Sequence, residues 1–247
     1  MPVFTSATPY LPEGVSQSRR LIFKQFAALV ASVGSSISMV LVLKANLEGL
    51  TAAADLVRKG GLICYPTDTV YGLGCDPLNS SAVERTMRVK GVRTKPMPVL
   101  VKDIENAERL AQIPNRARKI ARKFWPGPLT MVLPALEVLP TILAPGGTVG
   151  LRSPKHAVCL NLLGLCSGAL VGTSANLAGD LPAVSADQVA RELGDRVDLI
   201  LDGGTTPLGV ASTVVDLTQP AFTILREGPI GRLEIMRCIR GGTQDSY

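Results

Sequence analysis

From Met39 onward, short apolar runs alternate with segments whose apolar residues recur every three or four positions, and Gly, Pro, Asn and Asp mark the joints. Leu47, Leu50, Ala54 and Val57 fall at helical spacing and Gly60-Gly61 stops the segment, so a helix is predicted over Leu47–Lys59. Leu62–Pro66 reads as a buried strand and Thr67–Pro77, rich in hydroxyls and glycine, as a loop. Asn79 or Ser80 is placed to cap a helix running to Val89. Met97–Val101 reads as a strand, Asp103 as the cap of a helix over Ile104–Ala111, and Asn115–Phe124 as a further helix. Trp125-Pro126-Gly127-Pro128 must turn, because proline fixes φ and has no N–H to donate.

Strands are predicted at Leu129–Leu133, Thr148–Leu151, Ala169–Thr173, Leu199–Leu201, Ser212–Leu217 and Phe222–Arg226, with helices at His156–Leu165 and Ser185–Leu193. Strands alternating with helices predict an α/β fold with helices packed on a sheet. The late strands follow one another closely, which makes that sheet mixed. No repeat, low-complexity linker or charge block divides residues 39–247, so they are expected to form one domain.

Residues 1–38 differ: they carry one acid, Glu13, against Arg19, Arg20 and Lys24. The apolar stretch Leu21–Leu43 is interrupted by Lys24, Gln25 and serines, so it is a poor membrane span. The segment reads as an N-terminal extension: disordered, an organellar targeting peptide, or upstream of a true start at Met39.

Composition narrows the picture. Hydrophobic residues make up 46% and aromatics 4%, so the core must be aliphatic, as in sheets covered by helices. A formal net charge of +6 suits an anionic ligand, a nucleotide or RNA, and equally a merely basic soluble protein. The five cysteines include no CxxC pair, which disfavours a disulfide framework or zinc site and fits a reducing, cytoplasmic setting. Cys64 and Cys159 read as small core residues. The single histidine, His156, cannot make a metal cluster, and no metal site is expected.

Five segments carry candidate chemistry. Tyr65–Gly74 follows a strand and is rich in hydroxyls and glycine. Lys90, Arg93 and Lys95 sit together at a helix end, either clamping phosphates or forming a solvated helix terminus favoured by the macrodipole. Alternation places Thr148, Gly150 and Arg152 on one strand face, where the arginine could hold a carboxylate bidentately. Gly172-Thr173-Ser174-Ala175-Asn176 offers hydroxyls and an amide at a strand end, for a ligand or for capping. Gly209–Thr213 and Arg226 complete the set. There is no GxxxxGK[ST] and no GxGxxG, and Asp68 is the only carboxylate in the first segment, which disfavours a two-carboxylate hydrolase.

In order and spacing, YPTDTVYGLG (65–74), the Lys90–Pro96 cluster followed by MPVLV, WPGPLT (125–130), TVGLR (148–152), TSAN (173–176), Ser212-Thr213 and LREGP (225–229) resemble the YrdC-like family of threonylcarbamoyl-AMP synthases over Leu47–Ile230. The resemblance implies a twisted mixed α/β sheet with a concave electropositive cleft. It implies condensation of L-threonine, bicarbonate and ATP, with Mg²⁺, into threonylcarbamoyl-AMP and pyrophosphate. A downstream transferase would then pass the threonylcarbamoyl group to tRNA. By motif match, Thr67, Arg152, Ser174 and Ser212 would hold L-threonine, and Lys90, Thr148, Asn176 and Arg226 would hold ATP, with Arg93 and Lys95 assisting at the phosphates. Lys90-x-x-Arg93 departs from the Lys-x-Arg common in the family, and the second C-terminal domain of some members is not expected after Ile230. Three rival readings remain: a basic cleft that binds tRNA or double-stranded RNA without chemistry, carbamoyl-AMP formation as in hydrogenase-maturation proteins, and a structural role with a degenerate site.

Overall fold

The computed structural model describes residues 40–91 and 96–240. It is mixed α/β, with the strands divided between two sheets rather than gathered in one. The first sheet has the order β1 (Leu41–Lys44), β9 (Leu199–Asp202), β2 (Ile63–Tyr65), β3 (Gly72–Gly74), β8 (Thr173–Ser174). The second runs β11 (Thr223–Arg226), β10 (Thr213–Asp216), β5 (Leu129–Pro134), β6 (Thr148–Arg152), β4 (Val99–Val101), β7 (Ala169–Val171). Both sheets are mixed: β9 is parallel to β1 and β2 while β3 is antiparallel to β2 and β8. In the second sheet β10 is parallel to β5 and β6 is antiparallel to it.

The chain crosses from one sheet to the other at Gly172. The predicted single strand Ala169–Thr173 is broken there into β7 and β8, and a Cβ on Gly172 would stand 2.3 Å from the Leu100 side chain. At Gly74 a Cβ would meet the Val171 carbonyl oxygen at 2.0 Å, so glycine is what lets β3 approach β7. That explains one glycine of the YGLG motif by packing.

The helices have local causes. In α1 (Leu47–Arg58) the Asn46 side chain accepts from Gly49 N at 3.0 Å, Glu48 complements the positive end, and Gly60, at φ +82°, ends the turn. α2 (Ser80–Lys90) is capped by Asn79 and stopped by Gly91, at φ +74°. Asp103 caps α3 (Ile104–Glu108), which stops short of the predicted end at Ala111. α4 (Asn115–Phe124) buries Ala117, Ile120, Ala121 and Phe124 on one side. α5 (Ala157–Leu165) and α6 (Ala186–Leu193) complete the predicted set. The interior is aliphatic, as the composition requires, and Cys64 and Cys159 are fully buried within it.

Three elements differ from expectation. β3 lies inside the predicted loop 67–77; its Gly-Leu-Gly has little strand propensity, and its pairing with β2 and β8 makes it a strand. β1 is a short strand with every second residue exposed. A helix, α7 (Arg232–Arg240), occupies most of the C-terminal tail and buries Ile235. Residues 1–38, Arg93 and Lys95, on which several expectations fall, lie outside the described residues. No helix among the described residues is long and apolar enough to cross a membrane.

Candidate ligand-binding cleft

The strand directions gather the candidate residues at one end of the two sheets. β2 leads into Thr67-Asp68-Thr69, and β8, which runs parallel to β2, leads to Ser174 and Asn176. In the second sheet Arg152 ends β6, Ser212 precedes β10 and Arg226 ends β11. With β6 antiparallel to β5, β10 parallel to it and β11 antiparallel to β10, these three come to the end where β5 begins.

Arg152 is the central charge. Its Nε donates to the Gly127 carbonyl at 3.0 Å, Nη1 donates to Thr69 Oγ1 at 2.9 Å, and Nη2 is ion-paired with Asp68 Oδ1. Three of the five guanidinium N–H groups are engaged among the described residues. Burial lowers its pKa and the Asp68 charge opposes that shift. Asp68 Oδ2 and His156 Nδ1, both buried, have no hydrogen-bond partner among the described residues. The His156 pKa is lowered by burial, and the field of Asp68 opposes this.

Thr67 organises its own loop: its hydroxyl donates to Val70 O at 2.7 Å and accepts from Thr69 N at 3.1 Å and from Val70 N. Gly209 N and Leu208 N brace the same loop through Thr69 O and Asp68 O.

Ser212 and Arg226 form a second group. Arg226 Nε donates to Ser212 O at 2.9 Å and Nη2 to Ser212 Oγ at 3.0 Å, while Thr130 Oγ1 lies 2.9 Å from the same Oγ. The Arg226 pKa is lowered, first by desolvation and then by repulsion from Arg152, so the two guanidiniums share one field. No carboxylate among the described residues pairs with Arg226.

Lys90 ends α2 and reaches across to the third group. Its Nζ donates to Ser174 O at 2.7 Å, to Asn176 Oδ1 at 3.0 Å and to the Asn176 carbonyl. Asn176 Nδ2 donates onward to Leu177 O and Asp180 O. Thr148 is set apart. It shares the Arg152 face but starts β6, four residues and ~13 Å of strand away, and its hydroxyl meets Pro145 O at 3.4 Å.

Asp68, Thr69, Thr130 and the Gly127 carbonyl are site residues that the sequence reading did not assign. One signal existed for Asp68: an arginine ending a buried strand needs a carboxylate, and the first segment holds one.

Two mixed sheets tied at their strand ends by the buried Arg152–Asp68 pair, with Arg226 in the field of Arg152, define an α/β protein with a charged group at the strand ends. The chain belongs to the Sua5/YciO/YrdC family, whose model, described as telomere recombination, matches residues 55–228. A threonylcarbamoyl-AMP synthase of Pyrococcus abyssi is 40% identical over 190 residues, which are 76% of this chain and 56% of that protein. A threonylcarbamoyl-AMP synthase of Bacillus subtilis strain 168 is 35% identical over 197 residues, 78% of this chain and 57% of its own. The chain therefore spans a little over half the length of these relatives. The crystal structure of P. abyssi Sua5 complexed with L-threonine has a TM-score of 0.76 and 38% identity, covering 81% of this chain and 61% of that one.

Proposed function

We propose that this chain condenses L-threonine, bicarbonate and ATP into threonylcarbamoyl-AMP, releasing pyrophosphate, and so acts as a nucleotidyltransferase that supplies threonylcarbamoyladenosine formation on tRNA. The observation that carries the reading is the charge arrangement. Arg152 and Arg226 repel one another, only Arg152 has a carboxylate partner among the described residues, Asp68, and Lys90 ends at the Ser174–Asn176 loop. Anionic ligands relieve that imbalance, and threonine, bicarbonate and ATP are all anionic or carry carboxylates. The names of the relatives and the threonine complex of P. abyssi Sua5 support the same choice.

In this proposal the threonine carboxylate meets the two remaining N–H groups of Arg152 and the Ser212 hydroxyl, with Thr67 and Ser174 lining the amino acid. The free amine attacks the bicarbonate carbon, water leaves, and a carbamate forms. A carbamate oxygen attacks the α-phosphorus of ATP, and the bond to the β-phosphate bridging oxygen breaks. Charge develops on phosphate oxygens, where Lys90 and Arg226 supply compensating charge, with Asn176 and Thr148 holding the nucleotide. Arg93 and Lys95 are assigned to the phosphates on the motif match alone. No protein nucleophile is needed; alignment and fixed cations do the work.

Mg²⁺ enters as the partner of ATP. No group of three His, Cys, Asp or Glu that could cage a metal occurs among the described residues, and Mg²⁺ ordinarily rides on substrate phosphates with few protein ligands.

The test is a product assay with ATP, Mg²⁺, bicarbonate and L-threonine, with threonine omitted as control. Threonine-dependent pyrophosphate and threonylcarbamoyl-AMP are expected. No product from folded protein, together with salt-dependent RNA binding, would replace the synthase reading with the RNA-binding one.

A further inference from the structure

A slot of about 220 Å³ lies beside the cleft, walled by Ile104, Ala121, Trp125 and Pro126. It is smaller than the ~300 Å³ at which small-molecule sites usually begin, and its walls are mostly apolar. Its rim is divided by charge. Arg118 and Arg122 of α4 stand on one side, and on the other Asp103 and Glu105 at the start of α3 outnumber Lys102, which precedes them. Arg118 is ion-paired with Glu108, whereas Arg122 makes no hydrogen bond or ion pair among the described residues.

The helix behind this rim is densely basic. α4 carries Arg116, Arg118, Lys119, Arg122 and Lys123 with no acid, its first turn has no acidic residue, and Pro114 gives it no side-chain cap. The pairs Arg118/Arg122 and Lys119/Lys123 sit one turn apart, where like charges destabilise a helix. A partner that brings negative charge to this face removes that conflict.

We propose that the slot docks a segment of a partner protein, which seats one large apolar side chain between Trp125 and Ile104, sets an acidic residue against Arg122 and sets a basic residue against Glu105. The divided rim selects this class. A nucleic-acid backbone would meet repulsion at Asp103 and Glu105, whereas a polypeptide carries both signs. A membrane surface finds no insertion face on α4, because its Ala117, Ile120, Ala121 and Phe124 are already buried. A buried apolar anchor ringed by complementary charge is how hot spots are built.

The slot is joined to the cleft through backbone. Pro126 precedes Gly127, whose carbonyl holds Arg152 Nε, and Gly127 N donates to Ser153 O at 2.8 Å. Ser153, another lining residue, follows Arg152, and its hydroxyl donates to Lys102 O at 2.8 Å. The docking deepens the proposed synthase function in one respect: a mixed acyl-phosphate anhydride is lost to water unless an acceptor takes it, so a protein seated one residue from Arg152 stands where the product emerges. The docking itself rests on the slot, and binding is read without turnover, so it stands or falls separately from the synthase reading.

Trp125 is the only tryptophan in the chain, so its emission in the full-length protein, with the cleft left without ATP or threonine, reports on the slot. The probe is the peptide acetyl-Glu-Glu-Phe-Arg-Arg-amide. A saturable change in emission is expected, and replacing Phe by Ser should weaken it about tenfold. Arg122→Glu should weaken the peptide about fivefold, and Glu105→Lys should turn the preference toward Glu-Glu-Phe-Glu-Glu by a similar factor; both positions are exposed, so the fold is spared. Absence of a saturable change, equal binding of the Ser peptide, or a preference indifferent to the rim charges overturns the proposal. A duplex RNA oligonucleotide or phosphatidylserine vesicles producing the same saturable response would also overturn it, in favour of those partners.

Discussion

Arg152 and Asp68 join the two sheets through an ion pair whose side chains are 6% and 5% exposed. Arg152 ends β6 of the second sheet, and Asp68 follows β2 of the first. The same guanidinium donates to the Thr69 hydroxyl and the Gly127 carbonyl, so a single side chain ties together the YPTDT loop, the WPGP turn and the end of β6. Those are three of the motifs that carry the resemblance to the family, and the contact gives them one physical link.

Removing one partner of a buried pair leaves an uncompensated charge. Asp68→Asn is therefore expected to lower the unfolding free energy by ~3–5 kcal/mol, measured by urea denaturation. Asp68→Asn combined with Arg152→Met should cost clearly less than the sum of the two single changes, because the orphaned charge is gone. Additive costs would mean that the pair is not a structural unit.

His156 sets a pH dependence with a definite sign. Burial lowers its pKa below the ordinary 6.5, and Asp68 opposes the shift. Between pH 6.5 and the lower folded value, the unfolded chain takes up a proton that the folded chain does not. Stability is therefore full above 6.5 and is lost as pH falls through that window. As the chain has one histidine, His156→Gln should flatten the stability profile from about pH 7.5 to 5.5. An unchanged slope would assign the dependence to carboxylates instead.

The capped helices were legible in the sequence because each has a local cause. Asn79, Asp103 and Ser185 each accept a backbone N–H at the predicted start, and Gly60 and Gly91 sit at positive φ at the ends. β3 was not legible, because its strand character is lent by its neighbours across the sheet. α7 was not either, since it buries one residue and its apolar stripe is thin. For the cleft, the residue types were readable and their pairing was not. Asp68 was noted only as a solitary carboxylate, and its partner lies in another sheet; sequence order holds no record of that contact. Thr148 shows the converse, since alternation placed it correctly on the Arg152 face but gave no sense of its distance along the strand.

Lys90 would couple the proposed catalysis to loop geometry. Its ammonium holds Ser174 O together with the carbonyl and side chain of Asn176, so it fixes the TSAN loop as well as offering charge to phosphate. Lys90→Met keeps the apolar stem and removes the charge. Turnover in the product assay is expected to fall ~30–150-fold, equivalent to the ~2–3 kcal/mol of a charge-assisted hydrogen bond. Near-normal turnover would remove Lys90 from the site.

The Thr130 and Ser212 hydroxyls lie 2.9 Å apart, and Thr130 is expected to be the donor. Arg226 has only donors, so Ser212 Oγ accepts at 3.0 Å from Nη2. Thr130 Oγ1, 2.9 Å away, can fill the second acceptor position, which frees the Ser212 hydrogen to point at a ligand carboxylate. Both hydroxyls belong to buried residues, and the parallel register of β5 and β10 sets Thr130 beside Val214, close to the start of β10, so neither hydroxyl turns freely to water. Thr130→Val keeps the shape and removes the donor. KM for L-threonine is expected to rise about fivefold to tenfold, the value of one hydrogen bond, with kcat little changed. Thr130→Ser should restore KM because it returns the hydroxyl. A Val variant that loses kcat while keeping KM, or a Ser variant as impaired as Val, would show that Thr130 acts through packing against Gly150, where a Cβ would lie 3.2 Å from its methyl, and not through the hydroxyl pair.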